Sequence, residues 1–290
     1  MRPDLCDESN YRGISLANCI TKITDWIILK QCSKELASTD LQFAFKPKHS
    51  TSMCSYIVKE TATYYMNKGS EVFICMLDAS KAFDRIHHGK LFEILIKRKV
   101  PYLIIRLLMD MYQKQYLRTV WNGLCSPYFG CTNGVKQGGV LSQVLFTVYL
   151  DELLMKLKTC GLGCHVGNEY VVVVSYACDI TLMCPNRNGL QTMIDMCAEF
   201  GKDYNIQFNA SKSVCMCFSR SYKEFTVTMA GIPIKCQGQV KHLGQFISYN
   251  LHEFKEMEYK RSDLFRRFNH AILNFKGISS DTKMRIFNSF

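Results

Sequence analysis

Apolar residues recur along this chain with two different periods, and the changes between them lay out its elements. Val72-Phe-Ile-Cys-Met-Leu77 is a short unbroken apolar run, the pattern of a strand covered on both faces, and it ends at Asp78. Leu91, Ile94 and Leu95, then Leu103, Ile104, Leu107, Leu108 and Met111, recur at three-and-four spacing, so helices follow, with Pro101 opening the second. Gly134-Val-Lys-Gln-Gly-Gly139 reads as a glycine-rich turn into the strongest helical pattern of the chain, Val140 to Leu157, which Gly161 and Gly163 stop. The β-rich runs Tyr170 to Val174 and Ile180 to Cys184, joined by Ser175 to Asp179, predict a hairpin. Leu190, Met193, Ile194 and Cys197 predict another amphipathic helix, and Ile206 to Phe208 and Val214 to Phe218 predict further strands. This order predicts an α+β fold built on a split βαβ sheet with helices on one face.

Composition narrows the partner. The chain has 290 residues, 48% of them hydrophobic, enough for a sizeable core. Its formal charge of +11 favours a polyanion, nucleic acid before an anionic membrane surface, although a merely solvated basic surface gives the same count. The cations are spread along the chain, which points to a folded groove and not a basic arm. The 15 cysteines show no paired zinc-ligand spacing. Cys75, Cys197 and Cys215 sit in apolar runs as small hydrophobes, and the expectation is reduced thiols inside a cell. No run approaches the ~18 apolar residues of a membrane span, so membrane insertion is not expected.

The candidate chemistry lies at Asp78, at a strand end, and Asp179, at a hairpin tip. A split βαβ sheet can bring these two kinds of position side by side. Two-metal phosphoryl transfer uses such carboxylates, because hard Mg²⁺ takes oxygen ligands and ions ~3.5–4 Å apart stabilise attacking and leaving oxygens together. Either Asp alone also reads as a turn or helix-cap residue.

Seven segments in order carry a family resemblance: Asn10 to Leu16, Leu41 to Thr51, Leu77 to Asp84, Asn133 to Ser142, Ser175 to Ile180, Phe208 to Lys212 and His242 to Gly244. Together they resemble the reverse transcriptase domain of LINE-type (non-LTR) retrotransposons. The resemblance implies a right-hand polymerase fold: partial fingers over 1–70, a palm over 71–248 with inserted finger helices at about 85–130, and the truncated start of a thumb over 249–290. It implies RNA-directed DNA synthesis with an RNA template, a DNA primer, deoxynucleoside triphosphates and two Mg²⁺ ions, or Mn²⁺ in their place. It also implies nuclear action. Protein partners are not indicated.

Roles follow by resemblance. Asp78 and Asp179 match metal ligands, with the carbonyl of Ala79 beside the first, and Lys212 matches a lysine that neutralises or protonates the leaving pyrophosphate. Phe83 matches a ring that would collide with a ribose 2′-hydroxyl, and it reads equally as a core aromatic. Gln137 and Gly138 match the segment that meets nucleotide and template. Arg12 and Lys46 match finger cations on the triphosphate, and Leu243 and Gly244 match the primer-grip turn. Cys178 stands where the family carries the first of two adjacent aspartates. A thiol is a poor ligand for Mg²⁺, so the resemblance implies a copy with little or no activity. Gln143 and Ala44 are milder departures, from proline and glycine. The alternative is a polymerase-derived nucleic-acid-binding module that has lost catalysis.

Overall fold

The computed structural model describes residues 11, 13–274 and 277–288. The amino-terminal part runs α1 (Cys19–Gln31), α2 (Thr51–Asn67), β1 (Val72–Leu77), β2 (Ala79–Ser80), α3 (Ala82–Arg85), α4 (His88–Lys97) and α5 (Tyr102–Gln113). Then come β3 (Tyr116–Leu117), β4 (Val120–Trp121), β5 (Leu124–Cys125), β6 (Phe129–Gly130), α6 (Val140–Thr159), β7 (Cys164–Val166) and β8 (Glu169–Val171). The chain continues through β9 (Val173–Tyr176), β10 (Asp179–Cys184), α7 (Arg187–Asp203), β11 (Gln207–Phe208) and β12 (Val214–Phe218). It closes with β13 (Thr228–Met229), β14 (Ile232–Pro233), β15 (Lys235–Cys236), β16 (Gln239–His242), β17 (Gln245–Ser248), α8 (Phe254–Asn274) and α9 (Ser280–Asn288).

The central sheet has the order β15-β12-β1-β10-β9, with β1 antiparallel to both β10 and β12. Its central place explains why β1 is apolar throughout, since cores form on both of its faces. Cys75 and Leu77 join the larger core with α4, α5, α6 and α7, while Val72, Ile74 and Met76 meet Val58 and Ala62 of α2. Helices therefore cover both faces, not the single face expected. Helix α6 runs through the larger core and buries Leu145, Phe146, Val148, Tyr149 and Leu153 completely. Cys75, Cys197 and Cys215 are fully buried, and burial pushes the first two thiols far above the ordinary range. No disulfide joins the described cysteines.

Two expected elements differ. The run at Tyr170 to Val174 is divided: Tyr170 and Val171 pair with His165 and Cys164, and only from Val173 does the chain join the central sheet. The inserted helices end at Gln113, and residues 116–130 form a β-ribbon turned by Asn122 and Gly123, both at positive φ. Asn-Gly is the strongest short hairpin signal, and it outweighs helical continuation here.

Candidate active site

The register of β1 and β10 pairs Leu77 with Ile180. One step further along, the register brings Asp78 and Asp179 to the same end of the two strands, where both line one recess. Alternation along the strands puts both on the face shared by Met76, Thr181 and Met183, while Leu77 and Ile180 face the larger core.

The peptide of Asp78 is fixed from both sides. Its N–H donates to Ser213 Oγ at 3.1 Å, and its carbonyl accepts from Asn209 N at 2.8 Å. Asn209 Oδ1 accepts from Ser211 N and Lys212 N, at 3.0 and 3.3 Å, an Asx turn that sets Lys212 beside Asp78. Ala79 continues the chain into the short pairing with Phe208.

At the hairpin tip, Tyr176 pairs with Asp179, leaving Ala177 and Cys178 as a two-residue turn with Ala177 at φ +54°. A non-glycine residue there needs support, and buried Gln42 supplies it. Gln42 Oε1 accepts from Ala177 N at 2.8 Å and from Ala44 N at 3.1 Å, and its Nε2 donates to Ser175 Oγ at 3.1 Å. Cys178, half-buried at this turn and next to Asp179, packs against the edge of the larger core.

The second hairpin is β16–β17, where His242 pairs with Gln245 across Leu243 and Gly244, at φ +48° and +83°. Two positive angles make the tight turn expected of a hairpin, which Gly244 adopts without strain. Leu243 packs toward Phe43, Cys54, Val174 and Tyr176, so this turn sits against the carboxylate hairpin. His242 Nε2 lies 3.0 Å from Thr181 Oγ1, and burial lowers its pKa to about 4, so the ring is neutral and shares one hydrogen bond with that hydroxyl. A recess of about 160 Å³ results, lined by Asp78, Asp179, Lys212, Lys241, His242 and Leu243 among others.

The glycine-rich loop is docked beside this recess. Val135 N donates to Phe83 O and Gly134 N to Ile86 O, both at 2.8 Å, and Gln137 Nε2 donates to Asp84 Oδ1 at 3.1 Å. Gly138, at φ +102°, lies against the Ser15 backbone. The Phe83 ring stacks on buried Phe146 with centroids 4.3 Å apart, which fixes its orientation. Lys46 turns inward: its ammonium donates to Thr39 O at 2.5 Å, and burial lowers its pKa. Arg12 lies outside the described residues.

The structure thus gathers Asp78, Asp179, Lys212 and Leu243 at one recess, with Gly244 on its turn, and couples Phe83 to Gln137 through one loop contact network. Gln42, Thr181, Ser213 and Lys241 also build this region. Sequence patterns gave them no role, since each acts through a partner distant in the chain.

The donor set fits one divalent cation better than two. Mg²⁺ is commonly held by one or two carboxylates with substrate phosphates completing its shell, which Asp78 and Asp179 match. Among the described residues no group of three or more His, Cys, Asp or Glu side chains is placed to hold a metal.

Fold and recess define a template-dependent polymerase palm. The family model described as reverse transcriptase (RNA-dependent DNA polymerase) matches residues 3–250, and the chain belongs to that family. Its curated relatives are proteins of mobile elements. The Pol polyprotein of the type-2 retrotransposable element R2DM from Drosophila melanogaster is 26% identical over 74% of this chain and 20% of its own length. The RNA-directed DNA polymerase from mobile element jockey of Drosophila funebris is 23% identical over 97% of this chain and 32% of its own. The chain therefore spans a third or less of either relative. Among solved structures, telomerase from Candida tropicalis in complex with a fragment of telomeric RNA superposes with a TM-score of 0.53 at 12% identity, covering 78% of this chain and 36% of that one. That likeness shows the polymerase fold.

Proposed function

We infer that this chain is the palm-centred core of an RNA-templated DNA polymerase of the non-LTR retrotransposon type, impaired at its catalytic centre by Cys178. The observation that carries the reading is that Asp78 and Asp179, at the ends of paired strands, line one recess together with Lys212. Asp78 and Asp179 would hold a divalent cation, magnesium or manganese, which when bound stabilises negative charge on the reacting phosphate and acidifies the primer 3′-hydroxyl. Lys212 supplies a positive charge on the leaving side. Phe83, braced by Phe146, excludes a 2′-hydroxyl from the sugar site, and the loop from Gly134 to Gly138 orients nucleotide and template against it. Leu243 and Gly244 place the primer end.

Cys178 stands in the turn beside Asp179, where the family's aspartate would add a third carboxylate. Without it the second cation lacks a hard ligand, and each ~1.4 kcal/mol of lost stabilisation slows the step tenfold. Primer extension on a polyribonucleotide template with Mg²⁺ tests the reading. Little or no product from this chain and clear product from Cys178→Asp supports it. Absence of product from both, with the proteins folded and bound to primer-template, favours the binding module.

A further inference from the structure

The β-ribbon at 116–130 is absorbed by none of these roles, and its surface has an unusual composition. From Met111 through Leu150 the sequence carries Lys114, Arg118 and Lys136 and no Asp or Glu. Lys114 is paired with Asp110, which leaves the positive field of the ribbon to Arg118. Tyr116 and Tyr128 are 69% and 67% exposed, a costly arrangement for large rings unless a partner covers them.

Pairing explains how the rings are displayed. Tyr116 lies across from Gly130 and Leu117 from Phe129, and the next step sets Arg118 across from Tyr128. The Arg118 guanidinium sits over the Tyr128 ring, 5.4 Å from its centroid. Alternation puts Tyr116, Arg118 and Tyr128 on one face of the ribbon and Trp121 on the other, where its ring meets Tyr11 edge-on at 4.7 Å. The Tyr116 ring lies over Gly130 of the neighbour strand, with its edge 4.0 Å from where a Cβ there would stand, and its outer side is exposed. Tyr116 and Arg118 are two residues apart along a strand, about 6.6 Å.

We propose that this face of the ribbon binds an unpaired nucleic-acid strand, with bases stacked on Tyr116 and Tyr128 and phosphates drawn to Arg118. Aromatic rings on a cationic track are what a single strand recognises, and duplex bases, already stacked on each other, cannot use them. The ribbon leads within a few residues into the loop that docks on Phe83, so a strand held there is continuous with the template position. The assignment of that strand as template rests on the polymerase reading; the stacking surface does not.

The test is fluorescence anisotropy with the full chain, using labelled oligouridylate, oligothymidylate and a blunt RNA duplex. Tyr116→Ala with Tyr128→Ala weakens binding of the unpaired oligomers about tenfold or more while duplex affinity changes less than about twofold. The paired Tyr→Phe variants, which keep both rings, bind like the parent. Arg118→Gln weakens all three and lowers the salt dependence. Equal loss on single strand and duplex, or no loss on either, overturns the proposal, and the latter marks the rings as a surface for another protein. Oligouridylate and oligothymidylate separate an RNA from a DNA occupant. If Cys178→Asp extends primers while the ribbon variants bind normally, the ribbon proposal alone fails. If the ribbon variants selectively lose single strands while Cys178→Asp never extends, the polymerase reading fails and the ribbon stands.

Discussion

Gln42 and Ala177 are 135 positions apart in sequence, yet the amide of one holds the backbone of the other, with Ala177 N donating to Gln42 Oε1 at 2.8 Å and Ala177 O accepting from Gln42 Nε2 at 3.3 Å. The turn that aims Asp179 is thus built by a fully buried side chain from the segment before α2. Gln42→Ala leaves the Ala177 and Ala44 N–H groups without this acceptor. A loss of about 2–4 kcal/mol is expected, measured by urea unfolding. Gln42→Glu is no rescue, since a carboxylate cannot donate to Ser175 and would be buried.

His242 gives the fold a pH dependence. Its ordinary value is 6.5 and burial holds it near 4, so the unfolded chain binds more protons between those values. The stability linked to this neutral ring is complete above pH 6.5 and falls as pH drops toward 4, by about 2–3 kcal/mol. Denaturant midpoints across this window should decline with acid, and His242→Gln should flatten the decline relative to the parent.

Gly134 permits the docking of the nucleotide loop. At φ +84°, an added Cβ would stand 2.7 Å from the Asp84 carbonyl oxygen, a backbone atom that cannot swing aside. Gly134→Ala is expected to cost about 2 kcal/mol or more in thermal unfolding. Gly123→Ala, at φ +80° with open space around it, costs about 1 kcal/mol, the backbone strain alone.

The proposed sugar discrimination rests on Phe83. In the Cys178→Asp background, Phe83→Val should raise incorporation of ribonucleotides relative to deoxynucleotides by about tenfold or more, read from single-nucleotide extension rates. An unchanged ratio would make the ring a core residue that merely fills space against Phe146.

Much of this was legible in the chain itself, and for identifiable reasons. The runs at Val72 to Leu77 and Val214 to Phe218 became central strands because an unbroken apolar run has few other ways to be buried. The helical pattern from Val140 became α6 with its boundaries nearly unchanged. Asp78, Asp179 and Lys212 meet because strand ends are fixed by register, which local pattern constrains. Gln42 and Thr181 escaped notice because their importance is a single long-range hydrogen-bonded partner each, and no periodicity records a partner. The resemblance implied inserted helices to about 130, whereas the apolar helical spacing itself stops at Met111, and the Asn122-Gly123 turn carried the missed signal. Lys46 shows the limit of a motif: its charge faces Thr39, near Asp40 and Asp151, inside the fold.

The most direct test of the two-carboxylate centre is the rate of single-nucleotide addition by Cys178→Asp, by Cys178→Asp with Asp78→Asn, and by Cys178→Asp with Asp179→Asn, on one RNA template with Mg²⁺. The account predicts that the single variant extends at least about 100-fold faster than either double variant, with all three binding primer-template alike. Equal rates in the single variant and the Asp78→Asn double variant would contradict it, because the side chain that shares the recess with Asp179 would then have no part in the chemistry.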